Sequence, residues 1–174
     1  SLFYDRHAER ALRQTAPALD ADLITGFQGL SPLGTGGYAY RNAALLVTAG
    51  GAFEGSYSKV KLLPFGERIP LVELLVPGLD SNLGQANVTP GPGPRVMAGA
   101  PLAAAHFICY EMGFAGRVRR APDAGAELLV NISNDGWFAD PLAMELHAAL
   151  SPLRAAENGV PVLRAGNNGV TEIL

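Results

Sequence analysis

The sequence predicts an α/β fold, because short apolar segments of strand length alternate with segments of helical periodicity. Hydrophobic residues make up 48% of the 174 residues and charged residues only 17%. Such a chain can bury a substantial core and is most simply one domain. It contains no internal repeat or low-complexity tract that would indicate another architecture.

The first part of the chain predicts a helix followed by strands. Apolar residues recur at helical spacing over residues 5–16, before Pro17 interrupts the pattern. Residues 23–28 and 43–48 are short apolar runs bounded by glycines, prolines and polar residues, which is typical of buried strands. We expect the second of these strands to pair with residues 56–59 as a hairpin.

The rest of the chain continues the alternation. Strands are predicted over residues 103–109, 127–132 and 160–165. A basic helix is expected through Arg117, Arg119 and Arg120, and a longer helix over residues 143–158 should be kinked or broken by Pro152. Residues 64–94 are rich in proline and glycine, which predicts a structured loop with one short helix over residues 72–76.

Composition excludes several classes of partner. A formal net charge of -3 and a pI near 5.6 leave no basic surface for a nucleic-acid backbone. His7, His106 and His147 lack the spacing of a metal-binding helix, so no metal site is predicted. The most apolar stretch, residues 96–110, is too short and too interrupted to span a bilayer, and no signal-peptide pattern opens the chain.

Cys109 is the only cysteine of this sequence, so it forms no internal disulfide and is either a buried structural thiol or a reactive one. Taken alone, the structural role is the more frequent. Cys109 nevertheless ends a predicted buried strand at a turn, which can present a nucleophile. Acyl transfer through cysteine needs a thiolate, a proton acceptor and donors for the oxyanion, and lysine and backbone amides can be those donors.

A second segment joins a lysine to a carboxylate. In Tyr57-Ser58-Lys59-Val60-Lys61-Leu62-Leu63-Pro64-Phe65-Gly66-Glu67, a predicted strand carrying Lys59 enters a rigid Pro-Phe-Gly turn with Glu67 beyond it. The simpler interpretation is a solvated pair of lysines.

This segment resembles the Tyr-x-Lys-x-x-Leu-x-Pro-Phe-Gly-Glu pattern around the catalytic lysine of apolipoprotein N-acyltransferases, nitrilase-like carbon–nitrogen hydrolases. Ile108-Cys109-Tyr110-Glu111 resembles the nucleophile motif of the same family. Three further matches follow in the expected order: Asn131-Ile132-Ser133-Asn134-Asp135-Gly136-Trp137-Phe138, Arg154-Ala155-Ala156-Glu157-Asn158-Gly159 and Leu163-Arg164-Ala165-Gly166-Asn167-Asn168-Gly169. Chance agreement of all five is improbable.

The resemblance implies roles for five residues. Cys109 would be the nucleophile, and Lys59 the cation that stabilises its thiolate or the oxyanion. Tyr110 would contribute its backbone amide. Glu67 and Glu111 would both approach Lys59 and hold it charged, where the alternative is surface ion pairing of little energetic value.

Downstream, Trp137 and Phe138 are candidates for binding the acyl chain or substrate, although aromatic residues after a buried strand more often belong to the core. For Asn134 and Asp135 we expect local hydrogen bonds to loop backbone groups.

The resemblance also implies a nitrilase-like four-layer α-β-β-α sandwich, of which residues 1–174 supply a partial domain, incomplete at both ends. The family uses a Glu-Lys-Cys triad, and its glutamate, in a Trp-Pro-Glu-like motif, is expected before Ser1. The isolated chain is therefore expected to be inactive. Pro152 and Gly166 depart from the family pattern, so the local helix and the pocket wall are expected to differ from those of the family.

The implied reaction moves a fatty acyl group from a phospholipid, through a cysteine thioester, to the N-terminal amine of a diacylglyceryl apolipoprotein, without a cofactor. The implied location is the extracytoplasmic (periplasmic) side of a bacterial cell membrane, reached through parts of the protein outside this chain. Two alternatives stay open: a soluble amidase that uses water as acceptor, and a degenerate, non-catalytic binding domain.

Overall fold

The computed structural model describes residues 6–32, 38–68, 88–98 and 102–174, and the short helix predicted over residues 72–76 lies outside them. The first element is helix α1, Arg6–Leu19. The sequence predicts its end before Pro17, whereas the helix continues through this proline. A proline in the last turn removes only one hydrogen bond, and the chain leaves the helix at Asp20, whose φ of 49° is left-handed.

The first sheet consists of β1 (Leu23–Pro32), β2 (Tyr38–Val47) and β3 (Phe53–Ser58). The three strands are antiparallel and neighbour one another in chain order. Ala43 lies opposite Ser58, which confirms the predicted hairpin. Lys59 follows β3 directly, and its amide donates to the Asn42 carbonyl at 2.8 Å. The hairpin therefore fixes the main chain at Lys59.

The second sheet has five strands in chain order: β4 (Val96–Ala98), β5 (Ala103–Ile108), β6 (Leu128–Asn134), β7 (Val162–Asn167) and β8 (Glu172–Ile173). The three central strands are parallel, and the two outer strands are antiparallel to their neighbours. Parallel strands end at the same edge of a sheet. The residues that follow β5 and β6, Cys109 and Asp135, are thus brought to one edge.

Prolines divide both of the helical segments predicted for the second half. The basic segment forms two short helices, α2 (Ala115–Val118) and α3 (Arg120–Asp123). The longer segment forms α4 (Pro141–Ala148) and α5 (Leu150–Asn158). Pro122 and Pro152 have no N–H to donate to the carbonyls four residues earlier, those of Val118 and Ala148. Val118 is the last residue of α2 and Ala148 is the last residue of α4.

The helices and sheets stack in four layers. Alternation along β2 directs Leu45 towards Ala16 of α1 and Leu46 towards Ile108 of the second sheet. The opposite face of the second sheet, which carries Phe107, packs against α2, α3 and α5. The order of layers is α-β-β-α, which confirms the fold class predicted from the sequence. Among the described residues, no helix has the length and apolarity needed to cross a bilayer.

Candidate active site

Cys109 lies at a sharp turn where β5 ends. Ile108 is still extended, and a 3-10 turn over Cys109–Gly113 begins directly at the cysteine. The φ of Cys109 is 55°, a left-handed conformation that costs a residue with a Cβ atom about 1–3 kcal/mol. Such strain concentrates at functional sites, and here it presents a partly exposed thiol at the sheet edge.

Lys59 and Glu67 form a salt bridge beside this turn. Lys59 is only 2% exposed, and its Nζ lies 2.9 and 2.8 Å from the two carboxylate oxygens of Glu67. Asn42 Nδ2 and the Leu63 amide also donate to this carboxylate, both at 2.8 Å. The predicted approach of Glu67 to Lys59 is therefore present, and the interpretation as a solvated lysine pair is wrong for Lys59.

Glu111 is fully buried and accepts hydrogen bonds from both sides of the site. Its Oε1 accepts from the amides of Val60 and Lys61, both at 2.9 Å, and its Oε2 accepts from the Ile108 amide at 2.9 Å. The Tyr57 hydroxyl donates to both oxygens, at 3.0 and 2.9 Å. Glu111 thus ties the segment after Lys59 to the strand before Cys109.

This arrangement corrects the expectation that Glu111 holds Lys59 charged by approaching it directly. Among the described contacts, no ion pair joins the two side chains. The reason is that main-chain amides and the Tyr57 hydroxyl already occupy both carboxylate oxygens of Glu111. Burial raises the pKa of Tyr57, and the charge of Glu111 and its hydrogen bond raise it further.

Tyr110 contacts both Lys59 and the loop beyond it. Its ring centroid lies 5.1 Å from Lys59 Nζ, and its hydroxyl donates to the Leu62 carbonyl at 2.7 Å. Burial raises the pKa of Tyr110 to about 12, and the negative charges of Glu67, Glu111 and Cys109 act in the same direction. The Tyr110 amide forms a hydrogen bond with Cys109 that favours the thiolate.

The electrostatic surroundings of Cys109 favour its ionised form. Burial alone would raise the pKa of the thiol, but a hydrogen bond with His147 and the positive charges of Lys59 and His147 outweigh it. The pKa of Cys109 is therefore lowered from its ordinary value. A thiolate is the nucleophilic form of cysteine.

Asp135 joins His147 to Arg164 beneath the same edge. Its Oδ1 lies 2.9 Å from His147 Nδ1 and accepts from the Ser133 hydroxyl at 2.6 Å, while Oδ2 accepts from Arg164 Nη2 at 2.7 Å. Asp135 and Arg164 are both fully buried.

The expectation of local backbone hydrogen bonds is wrong for Asp135, because the partners of its carboxylate are side chains of other elements. It is correct for Asn134, which accepts from the Gly136 amide at 3.2 Å.

The charges of this cluster shift its pKa values in opposite directions. Burial would raise the pKa of Asp135, but the Ser133 hydrogen bond, the Arg164 charge and His147 together lower it. Burial and the charge of Arg164 would lower the pKa of His147. The hydrogen bond with Cys109, the charge of Cys109 and the hydrogen bond to Asp135 outweigh them, so the pKa is raised. Asp135 therefore stays ionised beside an imidazole that protonates readily.

The two aromatic candidates occupy different environments. Trp137 is 81% exposed, so it does not belong to the core. The Phe138 ring is half-buried and its centroid lies 5.4 Å from that of His147. Within the described residues, no group of three or more histidine, cysteine, aspartate or glutamate side chains is placed to hold a metal ion.

Sequence reasoning missed the partnership of Asp135, His147 and Arg164. The sequence pattern of His147 served only to exclude a metal site, and Arg164 entered only as part of a motif. One signal was present: an arginine inside the otherwise apolar start of β7 requires a buried counter-charge, and Asp135 follows the neighbouring parallel strand. No comparable signal indicated His147, which reaches the cluster from α4.

Comparison with known proteins gives related sequences over most of the chain. A family model described as carbon-nitrogen hydrolase matches residues 7–174. The apolipoprotein N-acyltransferase of Pseudomonas syringae pv. tomato is 38% identical over 157 residues, which cover 88% of this chain and 30% of that protein. The apolipoprotein N-acyltransferase of Allorhizobium ampelinum is 34% identical over 175 residues, which cover 94% of this chain and 32% of that protein. The chain thus spans about a third of the length of these relatives.

Solved structures share the fold. An amidase of Nesterenkonia from the nitrilase superfamily has a TM-score of 0.68 at 24% identity, over 92% of this chain and 52% of that one. A carbon-nitrogen hydrolase of Helicobacter pylori has a TM-score of 0.67 at 16% identity, over 92% of this chain and 50% of that one. At these identities the likeness concerns the arrangement of layers and strands.

Proposed function

This chain belongs to the carbon–nitrogen hydrolase family, and from that premise we propose that it carries the nucleophile of an apolipoprotein N-acyltransferase. The observation that carries the proposal is Cys109 at a left-handed turn, with the ammonium group of Lys59 held beside it by Glu67. Relatives named apolipoprotein N-acyltransferase, at 34% and 38% identity, support the choice of substrate class. The activity is proposed for the intact protein, of which this chain is about a third by comparison with those relatives.

In the first half-reaction, the Cys109 thiolate attacks the carbonyl carbon of a phospholipid acyl ester. An S–C bond forms and the carbonyl electron pair moves to oxygen. Lys59 Nζ and the Tyr110 amide stabilise this oxyanion. The C–O bond to the glycerol then breaks, the released alkoxide takes up the proton that the Cys109 thiol lost on ionisation, and lysophospholipid leaves a thioester on Cys109.

In the second half-reaction, the N-terminal amine of a diacylglyceryl apolipoprotein attacks the thioester. A C–N bond forms, the C–S bond breaks, and the amine loses a proton as the Cys109 thiolate is restored. The proposed general base is the glutamate of the family's Glu-Lys-Cys triad. A chain without it would be inactive, and neither half-reaction uses a cofactor.

The acyl donor is a bilayer lipid, so the site works at a membrane surface, on the extracytoplasmic side of the cell membrane. Exposed apolar side chains near the site suit this location. Trp137 is 81% exposed, and Leu142 and Leu146, one turn apart on α4, are 58% and 64% exposed. Trp137 and Phe138 are proposed to guide the acyl chain to Cys109.

The test is to trap the acyl-enzyme in the full-length protein. Vesicles of phospholipid with an isotopically labelled acyl chain are the donor, and the peptide that contains Cys109 is analysed by mass spectrometry. We expect the label on Cys109, its release by hydroxylamine, and its transfer to a diacylglyceryl peptide with an N-terminal cysteine. Cys109→Ser should abolish all three.

Two further variants compare the lysines. Lys59→Met should slow labelling on the order of 10²-fold or more, whereas the matched variant Lys61→Met should label normally because the Lys61 side chain is exposed. Labelling that survives in Cys109→Ser would contradict the proposal. Release of the label as free fatty acid at the same rate with and without the peptide would instead indicate a hydrolase that uses water.

A further inference from the structure

The hydrogen-bonding state of His147 is fixed by Asp135. Asp135 Oδ1 lies 2.9 Å from His147 Nδ1, and an ionised carboxylate only accepts hydrogen bonds. Nδ1 therefore carries a proton, and in the neutral ring the lone pair is on Nε2. Arg164 Nη2 lies 3.3 Å from Nδ1, but it donates to Asp135 Oδ2 at the shorter distance of 2.7 Å.

The free nitrogen of this imidazole is buried close to Cys109. His147 is 6% exposed, and its Nε2 has no hydrogen-bond partner within the described part of the chain. Cys109 and Asp135 follow neighbouring parallel strands, so Asp135 holds the ring at the sheet edge where the thiol lies. The pKa of Cys109 is lowered in part by His147, which agrees with this placement. A buried lone pair without a close partner is costly unless something uses it.

The two carboxylates near Cys109 are saturated with donors. Glu67 accepts twice from Lys59 and once each from Asn42 and Leu63. Glu111 accepts from the Tyr57 hydroxyl and from three main-chain amides. Lys59, as an ammonium ion in its salt bridge, has no lone pair to offer. Within the described residues around the thiol, His147 Nε2 is the acceptor that remains.

We propose that His147, oriented by Asp135, takes the proton of Cys109 and keeps the thiol as a thiolate–imidazolium pair before an acyl donor binds. The Cys109 S–H bond breaks, its electron pair stays on sulfur, and an Nε2–H bond forms. Asp135 stays ionised and stabilises the imidazolium, as Lys59 stabilises the thiolate. The charged and titratable groups that face the pair are Asp135 and Arg164 beside the imidazole, and Lys59, Glu67, Glu111 and Tyr110 beside the thiolate.

This inference rests on the proposed nucleophile but assigns it a second proton acceptor, besides the glutamate expected from the family. His147 acts through Cys109 and is therefore a positioning residue for the reaction. The two acceptors would have separate tasks: His147 ionises the resting thiol, and the glutamate serves the later proton transfers. The resting thiolate can be measured without phospholipid or acceptor peptide.

The test is the pH dependence of alkylation of Cys109 in the full-length protein. Iodoacetamide reacts with thiolates, and mass spectrometry of the Cys109 peptide gives the rate at each pH. The thiolate form appears as pH rises through the pKa of Cys109. His147→Gln removes the proton acceptor and its charge, so the midpoint should move to higher pH and alkylation at pH 7 should slow on the order of tenfold.

His106→Gln is the matched control. His106 is also a buried histidine, 2% exposed on β5, and burial lowers its pKa to about 4, so it is neutral. It should leave the alkylation midpoint of Cys109 unchanged. Wild-type alkylation in His147→Gln, with the fold retained in thermal melting, would overturn the proposal. An equal shift in His106→Gln would overturn it too, because the effect would then be general to the core.

A reciprocal measurement decides the question if His147→Gln does not fold. Hydrogen–deuterium exchange at histidine C2 reports the pKa of His147 in the otherwise unchanged protein. Cys109→Ser should lower that pKa, because the thiolate no longer stabilises the imidazolium. An unchanged His147 pKa would overturn the proposal. Acyl transfer is assayed separately, so normal alkylation behaviour without acyl transfer would reject the proposed function alone.

Discussion

Lys59 Nζ contacts both carboxylate oxygens of Glu67, at 2.9 and 2.8 Å, although Glu67 lies eight positions further along the chain, beyond a proline turn. The pair is well shielded, since the side chains are only 3% and 17% exposed. Removing one partner from such a pair leaves a charge without compensation. Glu67 is therefore the residue that fixes where the cation of Lys59 lies.

Glu67→Gln should weaken acyl-cysteine formation on the order of 10- to 100-fold, because the neutral amide holds Nζ less firmly at the position that the oxyanion requires. The measurement is labelling of Cys109 by a phospholipid with a labelled acyl chain, in the full-length protein. Glu54→Gln is the control, since Glu54 is exposed on β3. Equal labelling in both variants would contradict the role of Glu67.

Glu111→Gln should lower stability more than Glu54→Gln does, because the Glu54 side chain is exposed on β3. The amide places an NH2 group where Glu111 now accepts either from Ile108 or from Val60 and Lys61, so at least one buried donor loses its acceptor. An unsatisfied buried donor costs about 1–3 kcal/mol. Thermal melting of the two variants measures the difference. A Glu111→Gln protein as stable as the wild type would mean that its hydrogen bonds are dispensable.

The sequence predicts those parts of the fold and site that depend on local patterns. The β2–β3 hairpin follows from the apolar run over residues 43–48 and from residues 56–59, which lie a few positions beyond it. The contact between Lys59 and Glu67 follows from a short, rigid turn, in which Phe65 has a φ of 64° and the Glu67 amide returns to the Leu63 carbonyl at 2.9 Å. Such features involve residues close in sequence, so the pattern contains both partners.

The remaining features depend on partners that leave no local pattern. Glu111 was expected to approach Lys59, but it binds main-chain amides, which every residue except proline possesses. Asp135, His147 and Arg164 come from three elements that meet only in the folded sheet edge. The sequence predicts the break at Pro152, whereas the basic segment that contains Pro122 predicts one helix and forms two.

Cys109→Gly should be more stable than Cys109→Ala. Both variants remove the thiol, but only alanine retains a Cβ atom at the left-handed φ of 55°. That conformation costs a residue with a Cβ atom about 1–2 kcal/mol relative to glycine. Thermal melting of the two variants compares them directly. Equal melting temperatures would show that the turn at Cys109 relaxes without cost.

Lys59→Met should make thiolate formation at Cys109 require a higher pH. The positive charge of Lys59 is one of the causes that lower the pKa of this thiol, so its removal raises that pKa. The thiolate then appears later as pH rises, and alkylation at pH 7 slows. Lys61→Met is the control, because the Lys61 side chain is exposed.

The same variant separates ionisation from oxyanion stabilisation. At a pH high enough to ionise Cys109 fully, alkylation of Lys59→Met should equal that of the wild type. Acyl-cysteine formation should remain slower on the order of 10²- to 10³-fold, because an oxyanion donor is still absent. Full recovery of acyl-cysteine formation at high pH would mean that Lys59 acts only on the thiolate.

Gly169→Ala should disrupt the Asp135 cluster. A Cβ atom at Gly169 would lie 2.2 Å from Asp135 Oδ2, the oxygen that accepts from Arg164, so the carboxylate or the turn must move. We expect a loss of stability of about 1–3 kcal/mol in thermal melting. If the proposal for His147 holds, alkylation of Cys109 at pH 7 should also slow.

Gly116→Ala is the matched control for Gly169→Ala. A Cβ atom at Gly116 meets nothing within 4 Å, and Gly116 lies in helix α2, where alanine is favoured. A Gly169→Ala protein that melts and alkylates like Gly116→Ala would show that the packing of this turn against Asp135 is not needed to hold the cluster.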